Sequence, residues 1–424
     1  MFKISRILRN SGFQVHTMTC IVDLSNECLL QIVGYLDLKD QLNLKQATDS
    51  ATRLSSMVAY AWRLQKKFHV YKEFENRNDQ LEDFLKCICS SVTGLILNQL
   101  PKEQFDLWGN NVFPNMRELE YRGDILKRWD DDQDCELLVN AFPRLESVSL
   151  SGNNFGKHIS RWENLRRLDL SRNGKLKLQF LKEICKKLRL QSLKLSIYYT
   201  AGNNDAYVQP ISTLNDLEEL EITLDYLSQE KIAQLLMLPK LRKLGINNLD
   251  NPYFWSVIHR VRGEDVLAVT LYDDDWRSSS ETLKMFPNLR SLTIIDDNYF
   301  DHSELRKFNN VWPEIEGIWK VIAACHQLAD IKLSELALKE ELLAFNMDTI
   351  KRILDARKTP LVVHMDRTGF FGKTDYVSLC EKIEHPKLKL HFHPWTYKSI
   401  ESAEGYIVEL VPLASKKIIR LNNK

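Results

Sequence analysis

The sequence lacks the patterns that mark secreted, disulfide-bonded and membrane-spanning proteins. Its eight cysteines form no CxxC motif, and it contains no Asn-x-Ser/Thr glycosylation acceptor. No apolar run approaches the roughly 18 residues needed to cross a bilayer. These absences predict a protein of a reducing compartment, cytosol or nucleus, without a membrane partner and with cysteines acting as small hydrophobic residues.

The sequence also lacks an excess of charge of either sign and any low-complexity tract. Lys and Arg number 58 and Asp and Glu 57, which leaves a net charge of +1. This balance argues against nucleic acid as the main partner, because such surfaces are strongly basic. Residues 1–20 are expected to be a flexible extension. Lys3, Arg6 and Arg9, with no acidic residue nearby, leave a mitochondrial presequence as the alternative.

A phrase of the form Leu-x-x-Leu-x-Leu recurs along most of the chain, as in LRRLDLSRN (Leu165 to Asn173) and LRSLTIIDD (Leu289 to Asp297). The mean spacing of about 26 residues lies inside the range of roughly 20–29 residues typical of leucine-rich repeats. Two weaker copies follow at PLVVHM (360–365) and KLKLHF (387–392). The first apolar position of the ten stronger copies falls at Val92, Met116, Leu145, Leu165, Leu190, Leu217, Leu241, Val266, Leu289 and Leu328.

Each repeat predicts one short strand and often one helix. The apolar residues of the phrase alternate as on a strand, and QEKIAQLLML, which precedes one copy, has the periodicity of a helix. Such units bury their apolar sides only by stacking. The predicted fold is therefore α/β: a leucine-rich-repeat solenoid over residues 69–400 with parallel strands on a concave face and helices on a convex one. Residues 401–424 are predicted to form a C-terminal cap and tail.

The segment before the repeats has a different, purely helical pattern. One helical face carries Leu29, Ile32, Val33 and Leu36 at i, i+3, i+4 and i+7, and a second short helix carries Leu42. A third helix, from about Ser50 to Phe68, places Leu54, Val58 and Trp62 on one stripe. The pattern predicts a small N-terminal all-α domain of three helices at residues 21–68.

This segment resembles an F-box. Within DLSNECLLQIVGYLDLKDQLNL (Asp23–Leu44), the residues that match the F-box pattern in order are Leu24, Glu27, Leu29, Ile32, Tyr35, Leu36, Asp40 and Leu42. Followed by leucine-rich repeats, the chain resembles the F-box/leucine-rich-repeat proteins. The resemblance implies a non-catalytic, cofactor-free substrate-recognition subunit of a Skp–cullin–F-box ubiquitin ligase, monomeric within the complex. The implied adaptor-binding residues are Leu24, Ser25, Cys28, Leu29, Ile32, Val33, Leu36 and Leu42.

In that family the repeats hold the protein that is ubiquitinated and degraded by the proteasome. Residues between the buried apolar positions of each strand face outward, and about ten strands give a face of roughly 40–50 Å. A face of this length suits a folded protein or a long peptide as the substrate. The predicted substrate-binding residues are Arg167, Asp169, Lys194, Glu219, Glu221, Lys243 and Tyr272. An interaction scaffold that acts outside ubiquitination is the alternative.

Other motifs predict chemistry less well. RTGFFGKT (367–374) ends like a phosphate-binding loop, but Arg367 stands where that loop needs glycine. His391 and His393 would share a strand face and could hold a metal, yet edge-strand histidines explain them better. Aspartates near the phrase ends, such as Asp225 and Asp297, form either an acidic rim for a basic partner or, as we favour, turns and helix caps.

Overall fold

The computed structural model describes residues 21, 24–48, 53–98, 100–122, 131–152, 155–173, 175–197, 205–224, 227–246, 254–272, 282–295, 317–333, 346–366, 384–393 and 405–415. The chain divides into two compact units, Met1–Leu188 and Arg189–Lys424. Three predictions concern residues outside the described ranges: the flexible extension at residues 1–20, the RTGFFGKT motif, and the acidic rim with Asp225 and Asp297.

The first unit begins with three helices and continues with repeats. The helices are α1 (Asn26–Tyr35), α2 (Leu38–Ala47) and α3 (Arg53–Leu64). Five strands follow, and neighbours in the order β1-β2-β3-β4-β5 pair in parallel. The elements after α3 are β1 (Lys67–Val70), α4 (Asn78–Ile88), β2 (Gly94–Asn98), α5 (Lys102–Gly109), β3 (Glu118–Arg122), α6 (Asp131–Ala141), β4 (Ser147–Ser151), a 3₁₀ turn (Ile159–Arg161), β5 (Arg167–Leu170) and α7 (Leu178–Lys187).

The three N-terminal helices are confirmed, with a shorter third helix than predicted. The side chain of Ser25 caps α1 by accepting a hydrogen bond from the Cys28 N–H at 3.3 Å, and Asp37 caps α2 through the Asp40 N–H at 2.8 Å. The third helix ends at Leu64 because the chain must extend to form β1, which pairs with β2 in parallel. This first strand has the sequence KFHV and lacks the repeat phrase.

The helices and the first repeat share one aromatic core. The Phe84 ring on α4 lies at the centre of this core. The Trp62 ring on α3 meets it edge-on, and the rings of Phe68 and Phe74 also contact it, each with a centroid distance of 5.1 Å. Lys45 on α2 adds an ion pair of 2.9 Å with Asp83 on α4. Because Trp62 and Phe84 are almost fully buried, the helical segment is fixed on the first repeat and is not an independent module on a linker.

The second unit contains the remaining repeats in the strand order β6-β7-β8-β14-β9-β10-β11-β12-β13. Neighbours pair in parallel except β14, which is antiparallel to both β8 and β9. Its elements are β6 (Ser192–Ile197), α8 (Asp205–Ile211), β7 (Glu219–Leu224), α9 (Gln229–Leu236), β8 (Lys243–Ile246), α10 (Phe254–Arg262), a 3₁₀ turn (Gly263–Asp265), β9 (Val266–Tyr272), β10 (Ser291–Ile295), α11 (Gly317–Ala324), β11 (Asp330–Leu333), α12 (Met347–Ala356), β12 (Leu361–Asp366), β13 (Leu388–His393) and β14 (Gly405–Leu410).

The predicted α/β leucine-rich-repeat fold is confirmed. The first apolar residue of all ten strong phrases has no exposed surface, and a strand begins within two residues of each. Both weaker copies form strands, β12 and β13. The repeat leucines are therefore core residues, as their spacing predicts.

The structure departs from the prediction at the C-terminus. Residues 401–424 were expected to close the end of the array, whereas the strand Gly405–Leu410 lies between β8 and β9, in the interior of the sheet. It carries no repeat phrase, and its partners are more than 130 residues earlier in the chain. Sequence periodicity reports only neighbouring repeats, so it contains no signal for this pairing.

A buried arginine fastens α11 to the next repeat. The Arg357 guanidinium is 2% exposed and donates to the carbonyls of Ile322 (2.8 Å), Cys325 (3.2 Å) and Leu328. None of the described residues supplies a carboxylate to it. Burial lowers the pKa of Arg357 from its ordinary value. The positive charge is held by carbonyl groups at the C-terminal end of a helix, where the helix dipole favours cations.

Candidate interaction surfaces

The N-terminal helices turn most of the predicted adaptor-binding residues inward. Leu29 and Val33 have no exposed surface, and Leu42 is 1% exposed. Leu24 and Ile32 are buried in one cluster with Leu29 and Leu54. These five side chains hold the helices together. An i, i+3, i+4, i+7 stripe marks the face that is buried, which here is the core of the helical segment. The contact of these residues with an adaptor stays a prediction.

The remaining predicted adaptor residues keep some surface. Ser25 is exposed, while Cys28 and Leu36 are half-buried. Ser25 already serves as the cap of α1, so its hydroxyl has a structural partner. These three positions lie at the two ends of the α1 region, and their adaptor role stays a prediction.

Large apolar side chains lie exposed elsewhere on the same helices. Tyr35 at the end of α1 is 72% exposed, and Tyr60 and Leu64, one turn apart on α3, are 46% and 56% exposed. Protein-binding surfaces are enriched in exposed aromatic side chains, so these residues are candidate contacts for another protein. Sequence reasoning matched Tyr35 to the F-box pattern but did not select it as a contact. Its position off the apolar stripe was the available signal.

A buried polar network fixes the relative positions of the three helices. The Gln41 amide of α2 donates to the carbonyls of Val33 and Leu36 at 3.0 Å each. Its oxygen accepts the Trp62 indole N–H at 2.7 Å. Gln41 is 5% exposed, so these bonds are shielded from water. One side chain thus connects the end of α1, α2 and α3, and sets how the helices present their outer faces.

The second candidate surface is the sheet face turned away from the helices, here called the open face. In the second unit its register runs in a continuous row across the strands. The row consists of Ser192, Glu219, Lys243, Glu409, Ala268, Ser291, Asp330, Val362 and Lys389. Charges of opposite sign alternate directly across β7, β8 and β14. Glu409 is part of this row only because β14 is inserted, so sequence reasoning missed it.

In a second row on the open face, two charged side chains form an ion pair with each other. Lys194 and Glu221 lie 2.8 Å apart, with side-chain exposures of 34% and 10%. Opposite Glu221, Gly245 has no side chain, and a Cβ there would lie 3.0 Å from Glu221 Cγ and 3.5 Å from Ile407 Cγ1. The shallow depression beside this pair is lined by Ser192, Lys194, Glu219, Glu221 and Lys243. Two of the predicted substrate-binding residues, Lys194 and Glu221, therefore neutralise each other's charge.

The other predicted substrate residues have different positions. In the first unit Arg167 is exposed, whereas Asp169 accepts hydrogen bonds from the Ser171 N–H (2.9 Å) and hydroxyl (2.6 Å) and so forms a turn. Glu219 is exposed and Lys243 is half-buried. Tyr272 lies on β9, and its side chain is outside the described residues. Arg167, Glu219 and Lys243 remain available to a partner.

The histidines of the last strands form pairs. His364 on β12 stacks on His391 of β13 at 5.2 Å, and its Nε2 lies 3.2 Å from Asp330 on β11. His391 thus pairs across strands, while the predicted partner His393 lies opposite Asp366. Within the described ranges, no group of three or more His, Cys, Asp or Glu could hold a metal ion. In the same part of the chain no helix is long and apolar enough to span a bilayer.

These features define a leucine-rich-repeat protein with an N-terminal three-helix segment. Neither a family model nor a curated protein matches the chain. Among solved structures it is similar to a chain of the yeast Rad7–Elc1 complex, with 12% identity and a TM-score of 0.42, over 92% of this chain and 94% of that one. It is also similar to an internalin (inlF) from Listeria monocytogenes, with 13% identity and a TM-score of 0.35, over 91% and 100% of the two chains.

Proposed function

We propose that this chain is the substrate-recognition subunit of a Skp–cullin–F-box type ubiquitin ligase. Its helical segment binds a Skp-type adaptor, and its repeats bind the protein to be ubiquitinated. The observation that carries the proposal is the placement of the F-box-like segment Asp23–Leu44: it forms two capped helices that pack with α3 on the first repeat through Trp62. A domain fixed in this way would hold a bound adaptor in a constant position relative to the first repeat.

The adaptor surface is proposed to include Tyr35 and Leu64, two apolar side chains that are largely exposed. The chain would act without a catalytic residue or cofactor of its own. It would work in the cytosol or nucleus. It would be present in the complex as a monomer. The open face would read the substrate, with Glu219, Lys243 and Glu409 as the charged groups in its first row.

The test of the adaptor surface is co-purification of the tagged full-length chain with a Skp-type adaptor and a cullin. Tyr35→Asp/Leu64→Asp should reduce adaptor capture at least tenfold, because a charge would be placed in an apolar contact. Val112→Asp is the matched control: Val112 is 60% exposed but lies in the repeats, so capture should be unchanged. Absence of adaptor from the wild-type sample would refute the function. Capture of adaptor without cullin would favour a scaffold outside ubiquitination.

The test of the open face compares proteins captured while the proteasome is inhibited. Glu219→Lys should reduce capture of the substrate and leave adaptor capture unchanged, because charge complementarity governs association at exposed positions. Glu230→Lys, at an exposed position on the helix α9, is the control. Glu221 is unsuitable for this test because its reversal would break the pair with Lys194. Equal loss in both variants would place the substrate surface elsewhere.

A further inference from the structure

β14 occupies a position that the repeats do not require. The repeat starts Leu241 and Val266 are 25 residues apart, and the preceding pair, Leu217 and Leu241, are 24 apart. Strands β7 and β8 of that preceding pair are direct parallel neighbours. Between β8 and β9, however, the sheet admits an additional strand. The spacing of the repeats is regular there, so the extra strand enters a slot in an otherwise continuous array.

The slot binds β14 along both of its edges. On one side Tyr406 to Glu409 pair with β8, and on the other Gly405 to Leu410 pair with β9. Val408 has no exposed surface, Leu410 is 3% and Ile407 6% exposed, whereas Glu409 is exposed. The ligand chemistry of the slot is therefore an extended backbone with buried apolar side chains at positions 407, 408 and 410.

A buried charged pair holds the segment immediately after the strand. The Arg262 guanidinium and Asp265 lie 2.9 Å apart, with side-chain exposures of 0% and 4%. Arg262 also donates to the carbonyls of Leu236 (3.2 Å) and Val411. The Val411 N–H in turn donates to the Asp265 carbonyl at 2.9 Å. A buried arginine aimed at the backbone of a segment so distant in sequence is a built anchor for that segment.

The segment reaches the slot on a connection with spare length. Residues 394–404, eleven residues, join β13 to β14. The strand order places β14 five positions from β13, or about 24 Å at about 4.8 Å per strand. Eleven extended residues span about 36 Å. Covalent attachment thus supplies proximity, while the contacts described above supply the recognition.

We propose that the slot between β8 and β9 is a binding site for an extended peptide, and that residues 405–415 are its tethered ligand. The site recognises the ligand through two-sided backbone pairing, the apolar side chains at positions 407, 408 and 410, and the Arg262 anchor. It binds the same segment when the covalent connection is cut.

The test uses the full-length chain with a specific protease sequence placed within residues 394–404. After folding and cleavage, the C-terminal fragment should co-elute with the body at micromolar concentration. A labelled synthetic peptide of residues 402–416 should then exchange into the site. A peptide that ends at Leu410 should bind at least tenfold more weakly, because it lacks the groups that meet Arg262.

Two neighbouring substitutions on the peptide provide the matched control. Val408→Asp places a charge in the core and should weaken binding at least about 100-fold. Glu409→Asp at the exposed neighbour keeps the charge opposite Lys243 and should bind like the wild type. Separation of the fragment on cleavage, or precipitation of the body, would overturn the proposal. Retention of the fragment with no exchange against excess peptide would also overturn it, because β14 would then be an integral strand and not a ligand.

Discussion

Replacement of Gln41 by leucine tests how the N-terminal helices are held together. Leucine has a similar volume but makes none of the three hydrogen bonds of Gln41, so the Trp62 indole N–H and the carbonyls of Val33 and Leu36 lose their buried partner. At about 0.5–1.5 kcal/mol net for each of the three bonds, Gln41→Leu should cost about 1.5–4.5 kcal/mol. A factor of ten corresponds to about 1.4 kcal/mol, so opening of the helices should become about 10- to 1,600-fold more frequent.

Hydrogen exchange followed by mass spectrometry measures this opening in the full-length chain. Peptides that cover α1, α2 and α3 should exchange faster by that factor in Gln41→Leu, and those from the second unit should be unchanged. Gln46→Leu is the control, because Gln46 is an exposed residue of the same helix. Equal exchange in the two variants would refute the view that the network fixes the helices. Adaptor capture should fall with the same variant if the helical segment is the docking domain.

Four further predictions concern buried groups. Arg357→Met should lower the free energy of unfolding in urea by about 2–4 kcal/mol, because three carbonyls lose a buried donor. Arg352→Met, at an exposed position of α12, should change that free energy by less than about 0.5 kcal/mol. Equal effects of the two substitutions would contradict the structural role of Arg357. Gly245→Val should lower the melting temperature, since a Cβ would lie 3.0 Å from Cγ of Glu221. An unchanged melting temperature would mean that the side chains of the open face have room for the valine. Burial raises the pKa of the Cys185 thiol from 9.0 to about 12, so only the unfolded chain ionises it between those values and stability should fall with rising pH there. At pH 8 a thiol reagent should modify half-buried Cys28 before Cys185, as peptide mass spectrometry would show; the reverse order would count against this burial.

The repeats were predictable because each one is a local signal. Residues such as Leu165 and Leu289 repeat at the spacing of one strand and one helix, and all of the strong copies form strands with a buried first residue. The strand β1 was missed because KFHV alternates correctly but lacks the leucines of the phrase. It is recognised only when β2 provides a parallel neighbour.

The candidate sites were less predictable, because which face is exposed depends on packing. The stripe with Leu29 and Val33 was correctly placed on one helical face, yet that face is the core of the segment. On the open face, Glu219 is exposed as expected, but Glu221 forms an ion pair with Lys194 on the neighbouring strand. Side-chain alternation gives the face of a strand, whereas pairing across strands depends on the register.

The sequence by itself determined the α/β repeat architecture and the helical segment before it, because hydrophobic periodicity is encoded within about one repeat of chain. Only the tertiary structure decided the fixed attachment of that segment through Trp62 and Phe84, and the insertion of β14 between β8 and β9. Both depend on contacts between segments whose sequences carry no matching pattern. Backbone hydrogen bonds are the same for every residue, so a strand that completes a distant sheet leaves no mark in the sequence beyond alternate apolar residues.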